Sequence, residues 1–299
     1  MKNFFLSGRL FFALCVVSLV LPVLSCGGPP KVARGSAEYQ FLEAKKAITE
    51  AKLERAINLT SELLTKFPDT DYADKARIVR IVLLSGVSQG YGRMAEAHLD
   101  GFEKSIKNAG ALRSVAFDYY RKQKNASLGF YEACDFFLKN YSEKTPYVLD
   151  VEFPSQNLTH NPKLDEVRSG SVLAPEQLSV AEADELRNGL IMSLTGFLGA
   201  GDDRAKARKL LESGPRPLDH AEFMVMLGRT LLENQKVFGR RALNEIQNYR
   251  QFYEKSSECS ELALKLLKDN PNQEIQSQAD RLKTELEVMK KERTQTTSS

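Results

Sequence analysis

The spacing of apolar residues along the chain, at intervals of three and four, constrains its fold more than any other feature. Phe41, Ala44 and Ile48 recur on one side of a helical pattern, and charged residues occupy the other side. A second run of the same kind continues through Leu63 to Pro68. Proline lacks a backbone N–H and clashes with the preceding turn, so the helix ends there. The segment therefore predicts two amphipathic helices joined as a hairpin.

Composition supports a helical chain and excludes some functions. The 299 residues include 11 prolines and 18 glycines, and these cluster at a few places, whereas all-β chains carry turn signals every 8–12 residues or so. Without Lys2 and Arg9, which belong to an N-terminal export signal, 40 basic residues face 39 acidic ones. A chain this close to neutral gives no argument for nucleic acid as a partner. We predict the all-α class.

The first hairpin resembles a tetratricopeptide repeat, whose pattern ends on a proline. With Pro68 in that place, Ala44 and Ala56 fall on the two small-residue positions where the helices cross, although Gln40 stands where the pattern has a large aromatic residue. Further along, Gly228 falls on a small-residue position in the same register. The resemblance implies an α-solenoid built from helical hairpins, with an irregular central insertion.

The junction between the first hairpin and the next helix carries a second resemblance. Residues 63–73 read Leu-Leu-Thr-Lys-Phe-Pro-Asp-Thr-Asp-Tyr-Ala, which is similar to the corresponding junction in outer-membrane assembly lipoproteins of the BamD family. The resemblance covers roughly residues 37–108. It implies a protein or peptide partner and a role in outer-membrane protein assembly.

Helix by helix, the pattern predicts a third helix over 73–88, a break at Gln89-Gly90-Tyr91-Gly92, and a fourth helix that turns Ile106 inward. Residues 112–120 and 130–141 read as a further pair of helices. This pair is rich in aromatic residues, which predicts a large core or, alternatively, an apolar groove.

Between residues 145 and 178 the helical periodicity disappears, and prolines and glycines punctuate the segment. This predicts an irregular insertion that separates an N-terminal helical-repeat block, 37–144, from a C-terminal block, 179–292. Ser179 is predicted to cap the first helix of the second block. Asp202 or Asp203, and then Asp219, are predicted to cap later helices, and residues 293–299 form a polar, disordered tail.

Cys26 is the one functional residue that the sequence singles out. Two basic residues and then fifteen uncharged ones, 10–24, precede it, as in an export signal that is too short to span a bilayer. Val23-Leu24-Ser25-Cys26 resembles the lipobox of bacterial lipoproteins. The resemblance implies a signal peptide over 1–25, acylation of Cys26, a lipidated tether over 26–36, and a place on the periplasmic side of the outer membrane. The alternative is an ordinary secreted protein.

No pattern in the sequence predicts catalysis. Three scattered histidines and no paired Cys-x-x-Cys give no metal-binding or nucleophile–base spacing, so we predict no enzyme, no cofactor and no metal. The glycine-rich run 196–201 lacks the Lys-Ser/Thr of a phosphate-binding loop. Cys134 and Cys259 lie on apolar stripes, which predicts buried thiols.

The leading hypothesis is therefore a lipid-anchored periplasmic scaffold that binds a protein or peptide. Two alternatives remain open. One is a solute-binding lipoprotein similar to the T component of TRAP transporters, with a small-molecule ligand, and the other is a spacer that binds nothing.

Overall fold

The computed structural model of the chain describes residues 32–154 and 160–296, with side chains described as far as residue 290. The helices in this part of the chain are α1 (Ala37–Thr49), α2 (Leu53–Lys66), α3 (Asp71–Lys104), α4 (Ala109–Lys139), α5 (Pro162–Arg168), α6 (Pro175–Phe197), α7 (Arg204–Glu212), α8 (His220–Gln235), α9 (Ile246–Asp269) and α10 (Gln273–Thr296). A short 3-10 helix spans Lys236–Phe238, and the strands β1 (Val148–Leu149) and β2 (Arg216–Pro217) pair antiparallel. The predicted all-α class is confirmed.

The first hairpin forms as its pattern predicts. Ser36 begins α1 by accepting a hydrogen bond from the backbone N–H of Tyr39 at 3.1 Å, which satisfies one of the free donors of the first turn. Ala44 on α1 and Ala56 on α2 are completely buried. Both small residues therefore lie in the core, as the pattern requires.

The predicted break near residue 90 is wrong, because α3 is one helix of 34 residues. Gly90 does not end the helix because it lies against the backbone of α6: a Cβ atom there would be 2.8 Å from the carbonyl oxygen of Glu185. Because Gly90 has no side chain, the backbones of α3 and α6 can approach closely where the two helices cross. Ile106, predicted to turn inward, follows the end of α3 and is fully exposed.

The aromatic-rich segment also forms one helix instead of two, the 31 residues of α4. Phe130 and Phe137 are buried, and Phe137 packs edge-on against Phe223 of α8 with ring centroids 5.3 Å apart. Most of the aromatic side chains thus fill the core, which was the first of the two predictions for this segment. Phe136 is the exception, with 49% of its surface exposed.

The segment 145–178 contains β1, α5 and the start of α6. Strand β1 pairs with β2 in a register that places Val148 opposite Pro217. Helix α6 begins at Pro175, and Gln177 accepts a hydrogen bond from the N–H of Ala174 at 3.2 Å. The predicted cap at Ser179 is therefore wrong, since Ser179 lies within the helix.

Two of the predicted aspartate caps are confirmed. The Asp203 carboxylate accepts a hydrogen bond from the N–H of Lys206 at 2.9 Å, and the Asp219 carboxylate accepts one from Glu222 at 2.9 Å. Gly228 of α8 faces α9 and α10, where an added Cβ would lie 2.7 Å from a methyl carbon of Leu282. Helix α10 extends to Thr296, into the range predicted as a tail.

The helices on either side of residues 145–178 pack on each other. A buried polar cluster joins three of them: Ser127 of α4 donates to the Asn234 side-chain oxygen of α8 at 2.8 Å, and Ser88 of α3 bonds to both. Buried polar groups are costly without partners, so this cluster favours one arrangement of α3, α4 and α8.

Candidate functional site

A cleft of about 750 Å³ opens between α3, α6, α8, α10, the start of α7 and the loop 198–203. We refer to it as the arginine-lined cleft, because Arg93, Arg204, Arg229 and Arg281 line it. Its walls also include apolar side chains, among them Met192, Phe197 and Met226, and hydroxyl groups such as Thr195 and Thr230. A site of this composition can hold an apolar body and charged groups together.

The floor of the cleft depends on the crossing of α3 and α6. A Cβ atom on Gly189 of α6 would lie 2.2 Å from the carbonyl oxygen of Gly86 on α3, and one on Gly86 would lie 2.6 Å from the Cα of Leu190. Because the two backbones touch, residues that follow on α3 lie directly beside α6. Gln89 and Arg93 reach the cleft in this way.

The loop after α6 forms one rim of the cleft. Gly199 and Gly201 adopt φ values of +62° and +60°, a region that residues with a Cβ rarely occupy. Gly199 also lies against the side chain of Glu222, whose Oε1 would be 2.1 Å from an added Cβ. The glycine-rich run 196–201, which lacks the Lys-Ser/Thr of a phosphate-binding loop, thus connects two helices and lines a cleft.

Charges of both signs line the cleft. Arg93, Arg204, Lys206, Arg229 and Arg281 are the basic side chains, and Asp202, Glu233 and Glu274 are the acidic ones. Basic groups therefore exceed acidic ones by two.

Three of the five basic groups already have a partner. Arg93 Nε lies 2.8 Å from Oε2 of the completely buried Glu185. Lys206 donates to the carbonyl oxygen of Gly199 at 3.3 Å, and Arg204 is engaged as well. Arg229 interacts electrostatically with Glu233, at a greater distance than an ion pair. Arg281 is exposed and has neither a hydrogen bond nor an ion pair with any described residue.

Two carboxyl groups at the cleft have perturbed acidities. Glu233 is exposed to the cleft but surrounded by protein on its other sides, and this desolvation raises its pKa. Burial likewise raises the pKa of Glu222, with the nearby Asp219 and Glu274 carboxylates adding to the effect. Both shifts are in the direction that favours the protonated form.

A buried polar atom also faces this region without a partner. The Gln89 side-chain nitrogen donates to Ser85 at 3.3 Å, whereas its Oε1 is buried and accepts no hydrogen bond from the described residues. Such an atom is unusual in a folded protein.

The histidines lie apart from one another. His98 is buried on α3, with Nδ1 2.7 Å from the Met94 carbonyl oxygen, and burial lowers its pKa. His220 bonds to the Tyr141 hydroxyl at 2.9 Å, and His160 pairs with Asp165 at 2.9 Å. Among residues 32–154 and 160–290, no three or more His, Cys, Asp or Glu side chains are grouped as metal ligands would be.

Cys134 and Cys259 are free and completely buried, which confirms the prediction of core thiols. Burial raises the pKa of both thiols, so neither forms the reactive thiolate at neutral pH. They belong to the packing of α4 on α9, where Tyr131 and Phe252 also stack with ring centroids 5.1 Å apart.

A smaller apolar pocket of about 300 Å³ lies between α2, α3 and α4. The half-exposed ring of Phe136 forms part of it, with the Arg77 guanidinium 5.3 Å from the ring centroid. The aromatic-rich segment reaches this pocket through Phe136.

Cys26, the predicted acylation site, lies outside the described residues, as do the rest of the signal segment and most of the tether. None of the helices in the described ranges is long and apolar enough to cross a membrane. The sequence did not predict the cleft, because its arginines come from four separate segments that look like ordinary solvated helix faces.

Comparisons with known proteins give no relative. No protein-family model, no curated protein and no solved structure matches the chain.

Proposed function

We propose that this chain is a lipid-anchored scaffold of the bacterial cell envelope that faces the periplasm from the outer membrane and binds a protein or peptide partner. The proposal joins two supports: the lipobox that ends in Cys26, and the arginine-lined cleft of about 750 Å³. Assembly of outer-membrane proteins is the most specific form of this proposal, and it rests on the resemblance of residues 63–73 to the BamD family.

The cleft is the observation that carries the binding role. It opens to solvent, its walls come from five helices and a loop, and its rim bears exposed charged side chains. An extended segment can lie in such a cleft with apolar contacts at its floor and polar contacts at its rim, as in other protein interfaces.

Site-specific photo-crosslinking in the host bacterium tests the proposal. A photoreactive amino acid replaces Gln278, which lines the cleft on α10, or Glu287, an exposed residue on the same helix outside it. We expect a discrete protein adduct from position 278 and none from position 287. Absence of any adduct at 278 with intact, acylated protein would contradict a protein partner, and a water-soluble protein without a lipid mass would contradict the anchor.

Solute binding is the second candidate, because small-molecule sites enclose about 300–1,000 Å³ and the cleft lies within that range. Under this alternative, position 278 gives no protein adduct, and native mass spectrometry of the protein purified from the host finds a bound small molecule. A spacer would give neither result.

A further inference from the structure

We infer that the arginine-lined cleft binds an extended acidic segment of the partner, whose carboxylates pair with Arg229 and Arg281. This inference rests on the proposed function and adds the chemistry of what is bound. It starts from the charge of the cleft: five basic side chains line it against three acidic ones, and Arg93 is already paired with the buried Glu185, which leaves an excess of one basic group.

The two arginines differ from the other basic groups in their freedom to bind. Arg93, Arg204 and Lys206 are engaged within the protein. Arg229 on α8 and Arg281 on α10 are exposed, and neither forms an ion pair within the described residues. A guanidinium offers a planar fork of donors that fits a carboxylate with two parallel hydrogen bonds.

The acidic groups of the cleft restrict what can bind. Glu233 on α8 and Glu274 on α10 share the walls with the two arginines, and Asp202 lies on the loop. A dense polyanion would face repulsion from all three, whereas a segment with spaced carboxylates can place each one at an arginine.

The two arginines reach the cleft from different helices, Arg229 from α8 and Arg281 from α10. Carboxylates spaced along one extended segment can pair with both, and the protein partner of the proposed function supplies such a segment. We therefore take a peptide segment as the occupant, and a small dicarboxylate is the alternative that the test must exclude.

Fluorescence anisotropy with the full-length purified protein in detergent tests the inference. The probe is a fluorescein-labelled decapeptide of alternating glutamate and serine with an amidated C-terminus. Matched peptides carry glutamine or lysine in place of glutamate. We expect the glutamate peptide to bind at least tenfold more tightly than either, and salt to weaken its binding because surface ion pairs are screened.

Arg281→Glu is the decisive variant and Lys283→Glu is its control, because both residues are exposed on α10 and both changes alter the net charge equally. We expect Arg281→Glu to weaken binding at least tenfold and Lys283→Glu to change it less than twofold. Circular dichroism melting checks that both variants fold, and Arg281→Gln provides a milder substitution. Equal binding by Arg281→Glu and Lys283→Glu overturns the inference.

Two further outcomes separate this inference from the proposed function. If position 278 yields a protein adduct but the glutamate peptide binds no better than the glutamine peptide, the scaffold role stands and the acidic partner does not. If free glutamate competes as well as the peptide at equal concentration, the cleft is a solute site, and both proposals are overturned.

Discussion

Asp150 joins three parts of the molecule through one buried carboxylate. It accepts hydrogen bonds from Lys45 of α1 at 2.6 Å and from Lys75 of α3 at 2.9 Å, directly after β1. Burial alone would raise the pKa of this carboxyl, but the hydrogen bonds from the two lysines outweigh burial and lower it. Asp150 therefore stays ionised in the folded state.

Asp150→Asn should lower the free energy of unfolding at neutral pH by about 1–3 kcal/mol, because it removes the charge that both ammonium groups bind. Stability linked to a lowered pKa is present above the ordinary pKa of aspartate and is lost as the pH falls through the lowered value. The difference between wild type and variant should therefore shrink on acidification. Urea unfolding at neutral pH and in acid measures both effects.

Glu152→Gln is the matched control, since Glu152 is exposed and only two residues away. Its exposed contact with Thr49, at 3.4 Å, should contribute less than about 0.5 kcal/mol. A variant Asp150→Asn as stable as the wild type at neutral pH would show that the two lysines do not hold the β1 segment to α1 and α3.

At the scale of helices, the crossing of α3 and α6 decides where the cleft forms. Gly86, Gly90 and Gly189 bring the two backbones into contact. Close helix packing normally leaves about 8–10 Å between axes, and glycines at the crossing bring Gln89 and Arg93 beside α6.

Gly189→Ala should destabilise the protein by about 1–3 kcal/mol, because its methyl group would meet the carbonyl oxygen of Gly86 at 2.2 Å and backbone atoms cannot move aside cheaply. It should also weaken the binding of any ligand in the cleft, because it displaces α3 from α6. Thermal unfolding measures the first effect, and the anisotropy titration measures the second.

Gly129→Ala makes the same chemical change on α4, but we do not expect it to lower the stability of the protein. Its methyl group would meet only side-chain carbons of Leu84, at 3.5 Å and beyond, and alanine favours a helix over glycine by up to about 1 kcal/mol. Stability should therefore rise or stay unchanged. If Gly189→Ala behaves like Gly129→Ala, α3 and α6 are not in backbone contact.

At the scale of the whole molecule, helices that lie far apart in the sequence pack against one another. Helix α3 packs on α6, and the Ser88, Ser127 and Asn234 side chains connect α3, α4 and α8. Strand β1 pairs with β2, which follows α7.

A protease recognition sequence inserted after Lys144, which is exposed in the loop that follows α4, should permit cleavage without separating the two fragments. Because buried contacts hold them together, we expect them to elute as one species in gel filtration and to separate only in denaturant. An uncut protein carrying the same insertion is the control. Separation of the fragments in native buffer would contradict a shared core and would favour two independent helical blocks.

The sequence by itself determined the helical class, the first hairpin, the buried positions of Ala44 and Ala56, and the caps at Asp203 and Asp219. These features depend on local spacing and on side chains that bond within the same turn. The chain pattern also placed Cys134 and Cys259 on apolar faces.

Tertiary structure alone decided the continuity of α3 and α4 and the location of the cleft. Gly90 reads as a helix breaker when only local propensity is considered, and only the backbone of α6, some hundred residues away, explains why the helix continues through it. The same holds for Arg229 and Arg281. On their own helices they resemble ordinary exposed charges, and they line one cleft only because α8 and α10 pack side by side.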